Sequence, residues 1–180
     1  MADVYERSRP GYAPEAVAWL CERLRIGCGR VVLDLGAGTG KLTRQLVFTG
    51  ANLIAVEPLE EMRAELARTV PDAEAKAGTA EQIPLADASV DAVVSAQAFH
   101  WFDTERALAE IHRVLRSGGS LGLIWNTRDL ADPVQATVDE MLAPYRERAE
   151  RRWARGRKTS LAARRSSARS RRDRGLQSSS

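Results

Sequence analysis

The chain has 180 residues, of which 44% are hydrophobic and 28% are charged. This composition fits one globular domain with a real core and argues against a disordered protein. No apolar run approaches the roughly 20 residues that cross a bilayer, and the polar N-terminal stretch MADVYERSRP is unlike a signal peptide. We therefore expect a cytoplasmic protein without a membrane partner.

The net charge of +3 is divided unevenly along the chain. Residues 146–180 contain 13 Lys or Arg and 3 Asp or Glu, a net charge of +10, so residues 1–145 carry −7. This basic tail is rich in Arg and Ser and has no sustained apolar period, so we expect it to be disordered. The sequence thus predicts a folded domain over residues 1–145 and a tail over residues 146–180. Because the basicity belongs to the tail, we do not expect the folded part to bind nucleic acid.

The two cysteines, Cys21 and Cys28, are separated by six residues and have no histidine nearby. This spacing is neither that of a zinc site nor that of a disulfide framework. We expect both to be reduced residues that contribute to packing, and we predict no metal site.

The first predicted element is a helix over residues 14–25, because its apolar residues recur at helical spacing and Pro14 suits a helix start. The segment ahead of it, residues 5–12, is rich in aromatic and basic side chains and belongs to no periodic element. Taken alone, this composition is that of an ordinary polar arm.

The decapeptide VVLDLGAGTG, residues 31–40, is the most informative stretch of the chain. Its first five residues are apolar except for Asp34, which predicts a strand buried on both faces of a parallel sheet. Three glycines alternate with small residues after this strand: Gly36, Gly38 and Gly40. Residues without a Cβ allow a ligand to lie directly on the backbone. From Lys41 the pattern is helical, so the turn also presents a helix N-terminus, which favours an anion.

A second apolar run, residues 52–56, predicts the next strand, which ends in Glu57. A carboxylate at this position can accept hydrogen bonds from both hydroxyls of a ribose, as in dinucleotide-binding folds. The glycine turn and Glu57 together favour a nucleotide-binding site over a tight strand-to-helix connection that binds no ligand. The dinucleotide fingerprint needs a glycine where this chain has Lys41, so the spacing argues against a nicotinamide cofactor.

The sequence DLGAGTG resembles the first motif of the class I S-adenosylmethionine-dependent methyltransferases. The resemblance covers about residues 5–145 and is closest to the methyltransferase type 11 group. It implies that the turn holds the methionine end of the cofactor, S-adenosyl-L-methionine, and that Glu57 holds its ribose. The residues assigned to the cofactor in this turn are Asp34, Gly36, Ala37, Gly38 and Gly40.

After Glu57 the periodicity predicts a helix over residues 59–69 and a short strand near residues 73–77. The residues of this helix expected to face inward are Leu59, Met62 and Leu66. The segment GTAE, residues 78–81, follows the strand, and in the family the matching segment contacts the adenine. By resemblance alone we assign three of its residues to the cofactor: Thr79, Ala80 and Glu81.

Residues 90–95 predict the fourth strand, and the segment QAFHWF, residues 97–102, leaves its carboxyl end. Open parallel sheets bind ligands at this edge, so we expect these side chains to border a pocket. We assign Gln97 to the cofactor and Trp101 to the substrate. The two phenylalanines of the segment could equally fill the core between sheet and helix.

His100, in the same segment, is the candidate catalytic residue. An imidazole side chain can take up or release a proton near neutral pH, as a general base requires. If the methyl acceptor is already a carboxylate, His100 would only orient it.

A helix is predicted from the N-cap Asp103 to Leu115, followed by a turn over residues 117–120, a strand over residues 121–126 and a helix over residues 133–145. The alternation of strands and helices specifies a Rossmann-like, doubly wound parallel sheet with helices on both faces. The family's sheet normally continues with two further strands, which we expect this chain to lack.

The resemblance implies a methyltransferase that transfers a methyl group to a small-molecule substrate of unspecified identity. It also places residues 5–12 over the cofactor as a lid and makes Tyr12 a substrate contact. Two alternatives remain, a catalytically impaired remnant that still binds the cofactor and a nicotinamide-dependent oxidoreductase. We further expect that residues 146–180 are not part of the working fold and arise from a shifted reading frame or a truncated gene.

Overall fold

The computed structural model of the protein describes residues 11–127 and 131–143. The chain divides into two compact units, residues 1–126 and residues 127–180. The predicted tail, 146–180, and most of the predicted lid lie outside the described residues. No helix in the described ranges has both the length and the hydropathy that crossing a membrane requires.

Five parallel strands form the sheet of the first unit, and their spatial order is β3-β2-β1-β4-β5. They are β1 (Val31–Leu35), β2 (Asn52–Val56), β3 (Ala73–Lys76), β4 (Val90–Ala96) and β5 (Leu115–Ile124). The strand order reverses between β1 and β4, which is the point where open α/β sheets bind ligands. The predicted doubly wound parallel sheet is therefore confirmed, with five strands among the described residues.

Helices cover both faces of this sheet. They are α1 (Pro14–Leu24), α2 (Lys41–Leu46), α3 (Glu60–Thr69) and α4 (Thr104–Val114). Successive residues of a strand face opposite sides, so Val32 joins the apolar cluster that contains α1 and α2, and Leu33 and Leu35 join the cluster that contains α4. Two cores, one on each face, thus hold β1 at the centre of the sheet.

The helix predicted over residues 59–69 is present as α3, but its predicted inward face is only partly correct. Leu66 is fully buried, Met62 is half-buried and Leu59 is 56% exposed. Leu59 has an extended backbone and is the N-cap residue, so it precedes the first helical turn. The prediction for Leu59 was wrong because the helical period was extended one residue too far toward the N-terminus.

The fifth strand begins earlier than predicted, at Leu115 instead of residue 121, and it ends at Ile124. Leu115 pairs with Val90 and Ser120 pairs with Ala92, so the residues between Leu115 and Ser120 bulge out of the ladder. Gly118, with φ of +76°, makes this bulge possible. The predicted turn over residues 117–120 is thus a bulge inside a strand, where the Gly-Gly pair bends the chain without ending its pairing.

In the second unit, residues 133–143 form α5. The Asp132 carboxylate accepts hydrogen bonds from the N–H groups of Val134 and Gln135, both at 2.9 Å, and so caps the helix. The predicted amphipathic helix is confirmed over these residues. Its apolar side chains are exposed: Val134, Val138, Met141 and Leu142.

Candidate functional site

A cavity of about 190 Å³ lies at the carboxyl edge of the sheet. It is lined by the ends of β1 and β2, by residues 78–81 after β3 and by Trp101 and Phe102 after β4. Parallel strands bring these four chain segments to one edge, so residues far apart in sequence become neighbours. The predicted glycine turn, adenine segment and aromatic segment therefore meet at one place.

The glycine turn after β1 bends across the tip of β2. The N–H groups of Gly36 and Ala37 both donate to the Val56 carbonyl, at 2.9 and 3.2 Å. Gly36, Gly38 and Gly40 all have positive φ, at +73°, +59° and +83°. The turn therefore needs glycine at each of its three glycine positions for backbone reasons alone.

The three glycines differ in what an added Cβ would meet. A Cβ on Gly36 would lie 2.7 Å from the Ala98 Cβ, and one on Gly40 would lie 3.0 Å from the Leu66 Cγ. A Cβ on Gly38 would meet no atom within 4 Å. Gly36 and Gly40 thus serve the packing of the turn, whereas Gly38 leaves room for a ligand against the backbone.

Glu57 lies directly beside this open position and is only 5% exposed. Its Oε2 accepts the Gly38 N–H and its Oε1 accepts the Leu59 N–H, both at 2.9 Å. These two hydrogen bonds fix the direction of the Glu57 side chain. Each carboxylate oxygen retains a further acceptor position, so the side chain can still accept hydrogen bonds from hydroxyl groups. The structure thus places the glycine turn and this acid in direct contact.

Asp34, in β1, is the second buried carboxyl group near the turn and is 2% exposed. Its Oδ2 accepts the Thr43 hydroxyl at 2.6 Å, whereas its buried Oδ1 has no hydrogen-bond partner among the described residues. Burial raises the pKa of Asp34 to about 6 against the opposing effect of the Thr43 hydrogen bonds, and the charge of Glu57 raises it further. Buried acceptors without a partner are uncommon in native proteins.

Glu81, on the cavity wall, has a structural task in addition to the one assigned from the sequence. Its Oε1 accepts the Asp103 N–H at 2.8 Å and thereby joins the segment 78–81 to the start of α4. Partial burial raises the pKa of Glu81, but hydrogen bonds, including those from Asp103 and Thr79, outweigh this effect and lower it. Thr79 and Ala80 lie on the same wall.

Gln97 begins the turn that follows β4 and has φ of +57°, a left-handed conformation that is uncommon for a residue with a side chain. Its N–H donates to the Ile124 carbonyl at 3.0 Å, and its Nε2 donates to the Asn126 carbonyl at 3.2 Å. These hydrogen bonds turn the Gln97 side chain toward the end of β5, and it does not line the cavity. Strained residues of this kind concentrate at functional sites.

The aromatic segment divides into core and surface residues. Phe99 and Phe102 pack edge to face at 5.6 Å within the cluster that contains α4, and Phe102 also reaches the cavity. Trp101 is 80% exposed and forms part of the cavity wall. His100 is exposed, lies with its ring 4.8 Å from that of Trp101 and does not line the cavity itself.

Tyr12, assigned to the substrate from the sequence, is 9% exposed and packs in the cluster that contains α1. Its backbone exchanges two hydrogen bonds with the Gln45 amide, from the Tyr12 N–H at 3.1 Å and to the Tyr12 carbonyl at 2.8 Å. The Asn126 amide donates to the Gly11 carbonyl at 3.2 Å. Sequence reasoning missed Gln45 and Asn126 as anchors of this segment, because a single amide side chain carries no pattern.

Comparison with known proteins identifies the family of this arrangement. The family described as "Methyltransferase domain" matches residues 33–123. An uncharacterised methyltransferase of Mycobacterium tuberculosis is 57% identical over 125 residues, which are 69% of this chain and 50% of that protein. The malonyl-[acyl-carrier protein] O-methyltransferase of Methylococcus capsulatus is 44% identical over 96 residues, which are 50% of this chain and 35% of that protein.

A solved structure from Anaeromyxobacter dehalogenans, described as a candidate type II methyltransferase, has 32% sequence identity and a TM-score of 0.61. The match covers 74% of this chain and 56% of that one. The chain spans about half the length of the first curated relatives it matches.

Proposed function

The chain belongs to the methyltransferase-domain family, and from this membership we propose that it binds S-adenosylmethionine and transfers the methyl group to a small-molecule acceptor. The observation that carries the proposal is the open space over Gly38, bordered by the buried carboxylate of Glu57. A ligand can lie close to the backbone at Gly38, and the Glu57 carboxylate can accept hydrogen bonds from hydroxyl groups. Both are features that a nucleoside with a ribose requires.

The other residues at this edge fit the remaining parts of such a cofactor. No donor among the described residues reaches the buried Oδ1 of Asp34, and the cofactor carries a positively charged amino group. The lining of the cavity between Val56, residues 78–81 and Phe102 is largely apolar, which suits an adenine ring. We therefore propose that Asp34 and the glycine turn hold the methionine end, Glu57 holds the ribose and residues 78–81 hold the adenine.

When bound, the cofactor supplies an activated methyl group on a sulfonium, so the chain need only align the acceptor and exclude water. Alignment of reactants in a dry site can lower a barrier by several kcal/mol without a catalytic side chain. Trp101 supplies exposed apolar surface at the edge of the cavity, on the side where the acceptor would enter. His100, exposed beside Trp101, either removes a proton from a hydroxyl or amine acceptor or orients a carboxylate acceptor.

The similarity to a malonyl-[acyl-carrier protein] O-methyltransferase favours a carboxylate among these acceptors. For a carboxylate no proton has to be removed, so His100 would act through its hydrogen bonds alone. A screen of small acids, phenols and amines with radiolabelled methyl donor distinguishes the two roles of His100.

The binding step is tested by calorimetry with S-adenosylmethionine on Glu57→Gln, with Glu60→Gln as the matched control. Glu57→Gln retains one oxygen acceptor and removes the charge beside Gly38, and we expect cofactor affinity to fall about tenfold or more, since hydrogen bonds to charged groups contribute roughly 1.5–3 kcal/mol. Glu60 is exposed three residues further along, so the same charge change there should leave affinity within twofold.

Equal affinities for both variants would remove the ribose assignment of Glu57. Binding of NADH without binding of S-adenosylmethionine would overturn the proposed cofactor. Cofactor binding without turnover of any acceptor would favour the impaired remnant over an active enzyme.

A further inference from the structure

The Arg113 side chain, near the end of α4, holds residues 83–87, which follow the cavity wall formed by residues 78–81. Its guanidinium donates to the carbonyls of Ile83 at 3.0 Å and Leu85 at 2.8 Å and to the Asp87 carboxylate at 2.8 Å. These three contacts all go to a single segment, residues 83–87.

Glu110, one turn earlier in α4, contacts both Arg113 and the same segment, and we call the Glu110–Arg113 pair the clamp. It receives two hydrogen bonds from Arg113, at 2.8 and 2.7 Å, and one from the Ile83 N–H at 2.9 Å. Arg113 therefore makes five donor contacts, which matches the five N–H groups of a guanidinium. The Arg113 hydrogen bonds lower the pKa of Glu110 to about 2 against the effect of desolvation, so the pair stays charged at neutral pH.

Pro84 connects the segment held by the clamp to the cavity wall. Arg113 holds the carbonyls on either side of this proline, and a Cβ on Gly78 would lie 2.6 Å from the Pro84 Cδ. There is thus no free space between Pro84 and Gly78, the first residue of the wall. A shift of the clamped segment has to move the wall with it, because close-packed atoms transmit displacement.

We propose that Arg113 is a positioning residue that sets the shape of the wall formed by residues 78–81, and so the selectivity of the site for the adenine base. This inference rests on the proposed cofactor. Arg113 does not line the cavity and is not assigned to the reaction. Its effect should appear in discrimination between bases.

Arg116 provides the matched control for a purely stabilising role. It donates to the Asp91 carboxylate at 2.8 Å, and Asp91 also accepts the Val31 N–H at the start of β1. This ion pair lies at the amino edge of the sheet, opposite the cavity. Loss of Arg116 therefore removes a comparable charged contact without touching residues 78–87.

The test is a set of calorimetric titrations of the full chain with S-adenosylhomocysteine and S-inosylhomocysteine, at a temperature where circular dichroism shows each variant folded. Arg113→Met removes every donor, and Arg113→Lys keeps the charge without the five-donor fork. We expect the wild-type protein to prefer the adenosyl ligand by about fivefold or more, the effect of one hydrogen bond. The preference should fall below twofold in Arg113→Met, be intermediate in Arg113→Lys and be unchanged in Arg116→Met.

An unchanged preference in the folded Arg113 variants overturns this inference alone. A wild-type protein that binds both ligands equally also overturns it, because a wall that does not distinguish bases has no selectivity to set. Failure of the wild-type protein to bind either ligand overturns the proposed cofactor and, with it, this inference. If Arg113→Met does not fold, Arg113→Lys decides on the same criterion.

Discussion

The burial of Asp34 predicts that the contribution of this residue to stability depends on pH in a direction opposite to that of most paired acids. Burial raises the pKa of Asp34 from the ordinary value of 3.8 to about 6. Between these values the native state binds a proton that the unfolded state has released, so the free energy of unfolding falls as pH rises. The contribution is complete below about pH 4 and is lost above about pH 6.

The magnitude follows from the size of the shift. About two pKa units correspond to about 3 kcal/mol over the whole titration, of which roughly 1–2 kcal/mol falls between pH 5 and pH 8. Asp34→Asn retains an oxygen that can accept the Thr43 hydroxyl and removes the ionisation. Any packing cost of the amide is the same at every pH, so it cancels when the pH profiles are compared.

The assay is urea unfolding of the wild-type protein and Asp34→Asn at several pH values from 5 to 8. We expect the variant to gain roughly 1–2 kcal/mol relative to the wild-type protein as pH rises over this range. The exposed Asp72, changed to Asn, is the control for a general effect of removing one acid. Parallel profiles for the wild-type protein and Asp34→Asn would refute the reasoning.

Two further predictions concern the turn and the aromatic segment. Gly38→Ala should cost roughly 1–2 kcal/mol of stability because of the positive φ at this position, and it should lower cofactor affinity at least about tenfold in calorimetry. Gly36→Ala should destabilise the protein more, because its Cβ would lie 2.7 Å from a neighbouring Cβ. Equal melting temperatures for the two variants would contradict this. His100→Asn should lower turnover of a hydroxyl or amine acceptor about 10²-fold with cofactor affinity within twofold. Full activity of this variant would exclude His100 as a base.

The central strands could be predicted from the sequence because burial on both faces leaves a direct composition signal. β1 and β2 begin and end at the predicted residues, since both are short, mainly apolar runs, the first followed by Gly36 and the second by Glu57. β5 was predicted too short because its first half is polar, and its pairing with β4 depends on a bulge at Gly118. Pairing across a bulge is a tertiary property, so no local pattern indicates it.

The candidate site was predictable to the extent that its residues follow strand ends. Gly38 and Glu57 are each adjacent to a buried strand, and parallel topology alone brings them together. Gln45 and Arg113 lie within helices, where their sequence context is that of an ordinary polar residue. Their roles depend on which loop is nearby, and hydrophobic periodicity contains no information about that.

The contacts of α4 connect the two sides of the cavity. Its first turn follows the aromatic segment directly, and the Asp103 N–H at its start is bonded to Glu81 on the opposite wall. Its last turn carries Arg113 and Glu110, which hold the segment behind that wall. One helix therefore positions both the wall proposed to contact the adenine and the wall proposed to face the acceptor.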